Sequence, residues 1–218
     1  QRQMCIRDRP VIALLPGSRV SEVSALSEPF VETATWCLAR RPGLRFAVPL
    51  VTSRLREIFS AALERIAPGL PVTLVDGRSR EVICASDCVL TASGTATLEA
   101  LLLKRPMVVA YRINPLTYRL VKGLNLVKVP HVAMANLLAG SELAPEYLQE
   151  RCRPDLLGPA LLAFLDDPER VAAIASTYGR IHAGLRRNAG REAASAILEL
   201  IGHATPAAET RPWRHDSD

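Results

Sequence analysis

Two short loops in the chain combine the residue types that bind anions with the start of a helix. The first loop is "PGSRVSE", which contains Gly17, Ser18 and Arg19. Gly17 permits a tight turn with close backbone approach, and Ser18 can cap the following helix, whose free N–H groups attract anions. Arg19 adds a guanidinium suited to a diphosphate. The alternative is an ordinary helix cap with a solvated arginine.

The second loop, "ASGTATLE", places Ser93, Gly94 and Thr95 directly at a helix start, which is again an anion cradle. Glu99 lies one turn further along, where it could accept hydrogen bonds from ribose hydroxyls, as acidic residues do in dinucleotide folds. Neither GxGxxG nor GxxxxGK[ST] is present, so NAD and P-loop ATP sites are disfavoured. A solvent-facing Glu99 on a plain helix is the alternative.

A third stretch, "VPHVAMANLLAGSEL", carries two polar residues in apolar surroundings, His131 and Asn136. Buried polar groups need hydrogen-bond partners, and a lone histidine is more often structural than catalytic. Asn136 precedes "LLAG" in a region expected on the ligand side of the sheet. It is therefore the better functional candidate of the two.

The elements that must position these loops alternate between short apolar runs and helical periodicity. This alternation predicts an α/β fold, a Rossmann-like parallel sheet with helices on both faces, whose ligands bind at the carboxyl ends of the strands. Strands are predicted at Val11 to Leu15, Leu44 to Val51, Pro71 to Val75, Asp87 to Thr91 and Met107 to Tyr111. Helices are predicted at Ser21 to Arg41, Ser53 to Ala67, Arg80 to Ala85, Thr95 to Lys104, and from Pro159 to about Gly202.

Composition narrows the class of partner. The 218 residues are 49% hydrophobic and only 5% aromatic, and 27 basic against 22 acidic residues give a dispersed net charge of +5. Sparse aromatics and scattered charge disfavour nucleic acid, whereas anionic small molecules or an anionic membrane surface fit. The five cysteines form no CxxC pair, which disfavours zinc and favours thiols in a reducing cytosol. No uninterrupted apolar run reaches the roughly 18 residues of a membrane span.

Four segments together resemble one family. "LLPGSRVSEV", "VPLVTS", "ASGTATLEALLLKRPMVVAYRINPLTYRL" and "ANLLAGSELAPEYLQE" are similar to the C-terminal half of the lipid-A-disaccharide synthases, over about Val11 to Ile201. The resemblance implies the C-terminal domain of a GT-B glycosyltransferase. Residues 10–203 would form the UDP-sugar-binding domain, between a ragged leader at 1–9 and a loose tail at 204–218.

The resemblance also implies substrates and residue roles. The donor would be UDP-2,3-diacylglucosamine, the acceptor 2,3-diacylglucosamine 1-phosphate, and the products lipid A disaccharide and UDP. Arg19 would neutralise the leaving diphosphate, and Asn136 would lie near the reacting end of the donor. The catalytic residues would thus be Arg19 and Asn136, and the donor-binding residues Gly17, Ser18, Ser93, Gly94, Thr95 and Glu99.

Several further expectations follow from the family. An N-terminal domain that binds the acceptor and supplies the base is missing here, so the chain alone is expected to be inactive. No metal or other cofactor is expected, since the one DxD, Asp216 to Asp218, lies in the tail. The enzyme would be cytoplasmic and peripheral at the inner membrane, with residues 115–127 as a candidate membrane-facing helix. The alternatives are another GT-B UDP-sugar enzyme, such as an epimerase or a different glycolipid transferase, and a non-enzymatic nucleotide-binding module.

Overall fold

The structure is a computed structural model that describes residues 9–113, 131–186 and 188–201. The chain divides into two compact units, Gln1–Ala183 and Gly184–Asp218. The first unit contains the whole sheet. The predicted leader, the predicted tail beyond residue 203 and the candidate membrane helix at 115–127 fall wholly or almost wholly outside the described residues, so those assignments stay predictions.

One parallel sheet of six strands organises the described part of the first unit. Its order is β3-β2-β1-β4-β5-β6, and every neighbouring pair is parallel. The direction of winding therefore reverses between β1 and β4, which is the topological switch point where such sheets bind ligands. The strands are β1 Val11–Leu15, β2 Arg45–Leu50, β3 Val72–Asp76, β4 Cys88–Ala92, β5 Met107–Tyr111 and β6 Glu146–Leu148.

Among the described residues, the first helices connect successive strands, and the later ones follow β6 as far as Leu200. A single 3₁₀ turn at Gln149–Arg151 follows β6. The α-helices are α1 Val20–Arg40, α2 Ser53–Ile66, α3 Ser79–Ala85, α4 Thr95–Leu102, α5 Met134–Ala139, α6 Pro154–Asp166, α7 Pro168–Leu185 and α8 Ala189–Leu200. Of these, α8 belongs to the second unit.

The strands on either side of the switch point lie in the buried core. Strands β1 and β4 pair with Leu14 opposite Leu90, and both side chains are fully buried, as expected for a parallel strand covered on both faces. Helices α1 and α6 approach closely at Gly158, where an added Cβ would lie 2.2 Å from the Trp36 ring. The loops at the carboxyl ends of β1 and β4 thus project from strands whose central residues are fully buried.

The predicted fold class and the five predicted strands are confirmed. The sequence did not predict the three-residue strand β6, because a run that short carries little periodicity. Helix α5 was also missed, and α6 begins at Pro154 rather than at Pro159. A proline in the first helical turn is tolerated, because its missing N–H has no intrahelical partner there.

Candidate functional site

A cleft of about 500 Å³ opens at the carboxyl edge of the sheet, at the switch point between β1 and β4. Loops that follow β1, β2, β3 and β4 line it, and the loops after β1 and β4 are the two anion-binding loops predicted from the sequence. Seven of the eight predicted site residues lie on its wall: Gly17, Ser18, Arg19, Ser93, Gly94, Thr95 and Glu99. Asn136 is not among the lining residues.

The start of α1 differs from the predicted cap. Arg19, not Ser18, is the N-cap residue, so the prediction that Ser18 caps this helix is wrong. The Glu22 carboxylate takes that role instead, because its Oε2 accepts from the N–H groups of Ser18 at 3.0 Å and Arg19 at 3.2 Å. The Arg19 guanidinium lies 3.3 Å from Glu22 Oε1, with its side chain 79% exposed to the cleft and solvent. An acidic side chain therefore already fills the anion cradle at this turn.

Gly17 is needed at this turn, and the reason involves Glu22. Its φ is +120°, a conformation that residues with a Cβ rarely adopt. An added Cβ would lie 2.5 Å from Glu22 Oε2 and 2.6 Å from Glu22 Cβ. The space left by the missing side chain is thus occupied by Glu22. The sequence predicted that this space would serve close approach of the backbone to a ligand.

The start of α4 is an open turn. Gly94 is its N-cap residue with φ +154°, and no side chain caps the helix. An added Cβ on Gly94 would meet nothing within 4 Å, so glycine is required there for backbone conformation rather than for space. The first turn contains no acidic residue. The Thr97 N–H donates to the Gly94 carbonyl at 3.1 Å, while Thr95 and Ala96, whose N–H groups precede the first intrahelical hydrogen bond, line the cleft. Thr95 is exposed at the first helical position, where its hydroxyl can join those N–H groups.

Ser93 has a different role from the one predicted. Its hydroxyl donates a 3.1 Å hydrogen bond to the carbonyl of Val132, on the segment that leads into α5. The hydroxyl was predicted to donate to a diphosphate. The structure uses it to attach the α4 turn to a neighbouring segment, which leaves the backbone N–H groups and Thr95 as the open donors of this loop.

Glu99 lies in the cleft, half-buried, and its Oε2 accepts a 3.1 Å hydrogen bond from the Ser79 hydroxyl. Ser79 is the first residue of α3. None of the ion pairs among the described residues involves Glu99. The carboxylate therefore keeps acceptor capacity directed at the cleft, which suits the predicted ribose contact.

Asn136 is fully buried, and its amide is already saturated with protein partners. Its Nδ2 donates to the carbonyl of Ala144 at 2.7 Å and to Glu146 Oε1 at 2.8 Å. Its Oδ1 accepts from the N–H groups of Leu143 at 2.8 Å and Ala144 at 2.9 Å. All four hydrogen-bonding positions of the amide are used. The predicted role of Asn136 near the reacting end of the donor stays a prediction, and in this structure its amide supports the segment around α5 and β6.

Glu146 is the centre of this cluster and was missed by the sequence analysis. Its carboxylate, 11% exposed, accepts from the N–H groups of Val132 at 2.8 Å and Ala133 at 3.0 Å, at the start of α5. His131 lies 3.8 Å away through Nδ1. Since Val132 also accepts from Ser93, the cluster of Glu146, Asn136 and the segment before α5 braces the open turn of α4.

The loop after β3 contributes cleft residues that were not named from the sequence. Gly77, Arg78 and Ser79 line the cleft, and Arg78 has a left-handed φ of 56°. Its guanidinium pairs with Glu81 at 3.3 Å, and both side chains are exposed. This loop has the sequence "VDGRSRE", and nothing in that local sequence indicated that Ser79 would contact Glu99.

Other kinds of site receive little support from the described residues. No three of their His, Cys, Asp and Glu side chains converge in a way that could hold a metal ion. Burial raises the pKa of the Cys37 thiol to about 12, so this thiol is not a nucleophile at neutral pH. Within the same residues, none of the helices is both long and apolar enough to cross a membrane.

Solved structures share this fold. The UDP-GlcNAc 2-epimerase from Neisseria meningitidis bound to UDP-GlcNAc superimposes with a TM-score of 0.58 at 15% identity, covering 88% of this chain and 45% of that one. A glycosyltransferase involved in lipopolysaccharide biosynthesis gives a TM-score of 0.59 at 14% identity, covering 88% and 47%. At these identities the likeness shows the fold alone.

Sequence relatives are much closer. The lipid-A-disaccharide synthase of Xylella fastidiosa (strain M12) is 46% identical over 193 residues, which are 88% of this chain and 50% of the relative. The synthase of Pseudomonas aeruginosa (strain UCBPP-PA14) is 47% identical over 194 residues, 89% of this chain and 50% of the relative. The chain thus spans about half the length of these relatives. A family model described as lipid-A-disaccharide synthetase matches residues 2–200, and so the chain belongs to the lipid-A-disaccharide synthetase family.

Proposed function

We propose that this chain binds the nucleotide-sugar donor of a lipid-A-disaccharide synthase. In the full reaction, 2,3-diacylglucosamine passes from UDP to 2,3-diacylglucosamine 1-phosphate, giving lipid A disaccharide and UDP. The observation that supports this most directly is the cleft itself. Within about 500 Å³ it combines an exposed arginine, an open helix N-terminus and a carboxylate with free acceptor capacity.

These groups match the parts of a nucleoside diphosphate. The N–H groups at the start of α4 and the Arg19 guanidinium are donors for diphosphate oxygens, and Glu99 is an acceptor for ribose hydroxyls. During transfer, the bond between the sugar C1 and the diphosphate oxygen breaks, and negative charge grows on the leaving group. Preorganised donors at that position stabilise this charge more in the transition state than in the ground state.

The acceptor hydroxyl must lose a proton as it attacks the sugar C1. We assign the base to the part of the family's longer chain that these residues do not span, since this chain covers about half of its relatives. The division of labour is then donor binding here and acceptor activation elsewhere.

Calorimetry with UDP and with uridine, each with and without EDTA, tests the donor site. We expect UDP to bind, to bind more tightly than uridine, and to need no divalent metal. Binding that strictly requires Mg²⁺ would contradict the proposed site, and so would the absence of UDP binding.

A transfer assay tests the reaction. The chain alone should form no disaccharide from radiolabelled donor and acceptor, as followed by thin-layer separation. Addition of the amino-terminal half of the Xylella fastidiosa synthase, as a fusion or a separate polypeptide, should restore transfer. Robust disaccharide formation by the 218 residues alone would show that the base has been assigned to the wrong half.

The location and membrane partner are proposals as well. We propose that the enzyme is cytoplasmic and associates peripherally with an anionic membrane surface. The net charge of +5 and the diacylated substrates of the proposed reaction support this proposal. Liposome sedimentation checks this, because binding should need anionic lipid and decrease with salt. Equal sedimentation with neutral vesicles, or none with either, would contradict the proposal.

A further inference from the structure

The contacts of Glu22 place a carboxylate inside the proposed diphosphate site. Its carboxylate receives the N–H groups of Ser18 and Arg19 at 3.0 and 3.2 Å, and the Arg19 guanidinium at 3.3 Å. Ser18 and Arg19, which supply those three donors, line the cleft. Glu22 itself is one of the cleft-lining residues.

Two observations show that this arrangement is built into the turn. The Glu22 side chain is only 18% exposed, whereas the other Arg–Glu pairs spaced three apart on described helices leave their glutamates 59–65% exposed. Gly17 also lacks the Cβ that would lie 2.5 Å from Glu22 Oε2, so the backbone makes room for this carboxylate. The α4 turn across the cleft has no acidic residue in its first turn.

We propose that Glu22 is an internal competitor for the phosphate of the ligand, and that it sets how tightly the diphosphate is held. In the free protein it occupies the donors at the start of α1 and neutralises part of the Arg19 charge. A diphosphate must either displace it or bind on the α4 side with a carboxylate nearby. This inference rests on the proposed UDP site. Its benefit would be release of UDP, because a site that held the leaving group with every donor would also retain the product.

The test is UDP and uridine calorimetry on the wild type and on Glu22→Gln. Glutamine keeps the length and can still accept from the N–H groups, but it removes the charge. We expect UDP to bind about three- to tenfold more tightly, since each exposed charge contact contributes modestly. Uridine affinity should stay the same, because uridine has no phosphate. The gain for UDP should shrink in high salt as charges are screened.

Glu57→Gln is the matched control. Glu57 in α2 also pairs with an arginine three residues earlier, at 3.2 Å from Arg54, and it does not line the cleft. It should leave UDP affinity unchanged. Glu22→Asp serves if the glutamine variant does not fold, because the shorter side chain withdraws from the N–H groups. A smaller gain in UDP affinity is then expected.

Each outcome decides the matter. Unchanged or weaker UDP binding by folded Glu22→Gln, or by Glu22→Asp where that variant replaces it, overturns the inference and makes Glu22 a structural cap, while the UDP site stands. An equal gain for UDP and uridine also overturns it, because the effect would not depend on phosphate. Failure of the wild type to bind UDP overturns the proposed function and this inference together.

Discussion

The two turns that face each other at the switch point look alike in sequence but differ in what occupies their donors. The α1 turn, with Gly17 and Arg19, is closed by its own Glu22. The α4 turn, with Gly94 as cap, has no side chain over its N–H groups. A glycine-containing turn before a helix therefore indicates an anion cradle only when nothing in the first helical turn already fills it.

The two turns also differ in how they are supported. The α1 turn is held by a residue four positions away at most, whereas the α4 turn is tied through Ser93 to Val132 and from there to Glu146 and Asn136. The local contacts of the α4 turn are those of the Thr97 N–H and hydroxyl with the Gly94 carbonyl, and the Ser93 contact adds support from a segment distant in sequence. Substitutions far from the ligand should thus affect the α4 side more than the α1 side.

The largest effect should come from Asn136→Ala, which removes the support of the open turn. It would leave the buried N–H and the carbonyl of Ala144 without their hydrogen-bond partner. Each unsatisfied buried group destabilises the fold by about 1–3 kcal/mol. We expect the free energy of unfolding, measured in urea, to fall by about 2–4 kcal/mol. Leu137→Ala, at the next position and 48% exposed, should change it little.

The same variant separates a structural Asn136 from a catalytic one. At temperatures where the variant stays folded, the loss in the free energy of UDP binding should be smaller than the loss in the free energy of unfolding. Unchanged stability with a complete loss of UDP binding would restore the donor contact that the sequence predicted.

Glu99→Gln should have the next largest effect on UDP affinity and tests the proposed ribose acceptor in the cleft. Hydrogen bonds to a charged group contribute about 1.5–3 kcal/mol, so we expect UDP affinity to fall roughly ten- to hundredfold. Melting and circular dichroism should stay the same. Glu81→Gln, on an exposed glutamate of α3, is the matched control. If Glu99→Gln and Glu81→Gln bind UDP equally well, Glu99 is only a surface residue.

Gly94→Ala tests the backbone of the open turn. A φ of +154° costs a residue with a Cβ about 1–3 kcal/mol, and the turn can avoid this cost by rearranging its N–H groups. We expect UDP affinity to fall about tenfold. Gly43→Ala carries a similar conformational cost at φ +95°, but at the turn before β2 on the other edge of the sheet. Gly43→Ala should lower the melting temperature without weakening UDP binding. Equal UDP affinity in both variants would count against the α4 cradle.

The sequence predicted the sheet and the cleft well, because both depend on local signals. Apolar runs broken by small residues mark buried strands and their turns, and the parallel alternation then brings the turns together at one edge. Gly94 and Glu99 were placed correctly for this reason. Ser18 was assigned the cap because helix starts are uncertain by one or two residues, and a shift of one residue transfers the role to Arg19.

The rest depended on partners that are distant in sequence. Asn136 is of a residue type that often binds ligands. Its amide instead contacts Glu146 in β6 and Ala144 just before that strand, and the local sequence around Asn136 does not indicate these partners. The strand itself has three residues and no detectable period. Ser93 likewise donates to a carbonyl 39 positions away. Side-chain roles that depend on such pairings follow from the tertiary structure and not from the local pattern.

Arg19→Ala should have the smallest effect, and the reason returns to the closed turn. The Arg19 side chain is 79% exposed, and Glu22 partly neutralises its charge. Its loss should therefore lower UDP affinity only about three- to tenfold. Uridine affinity should not change, because only the diphosphate contacts the charge.

In the Glu22→Gln background, Arg19→Ala should weaken UDP binding more, since Arg19 is then fully available to phosphate. Calorimetry on the two single variants and the double variant measures this coupling. Equal weakening of UDP and uridine would remove Arg19 from the diphosphate site, and purely additive effects would mean that Glu22 and the ligand do not compete for it.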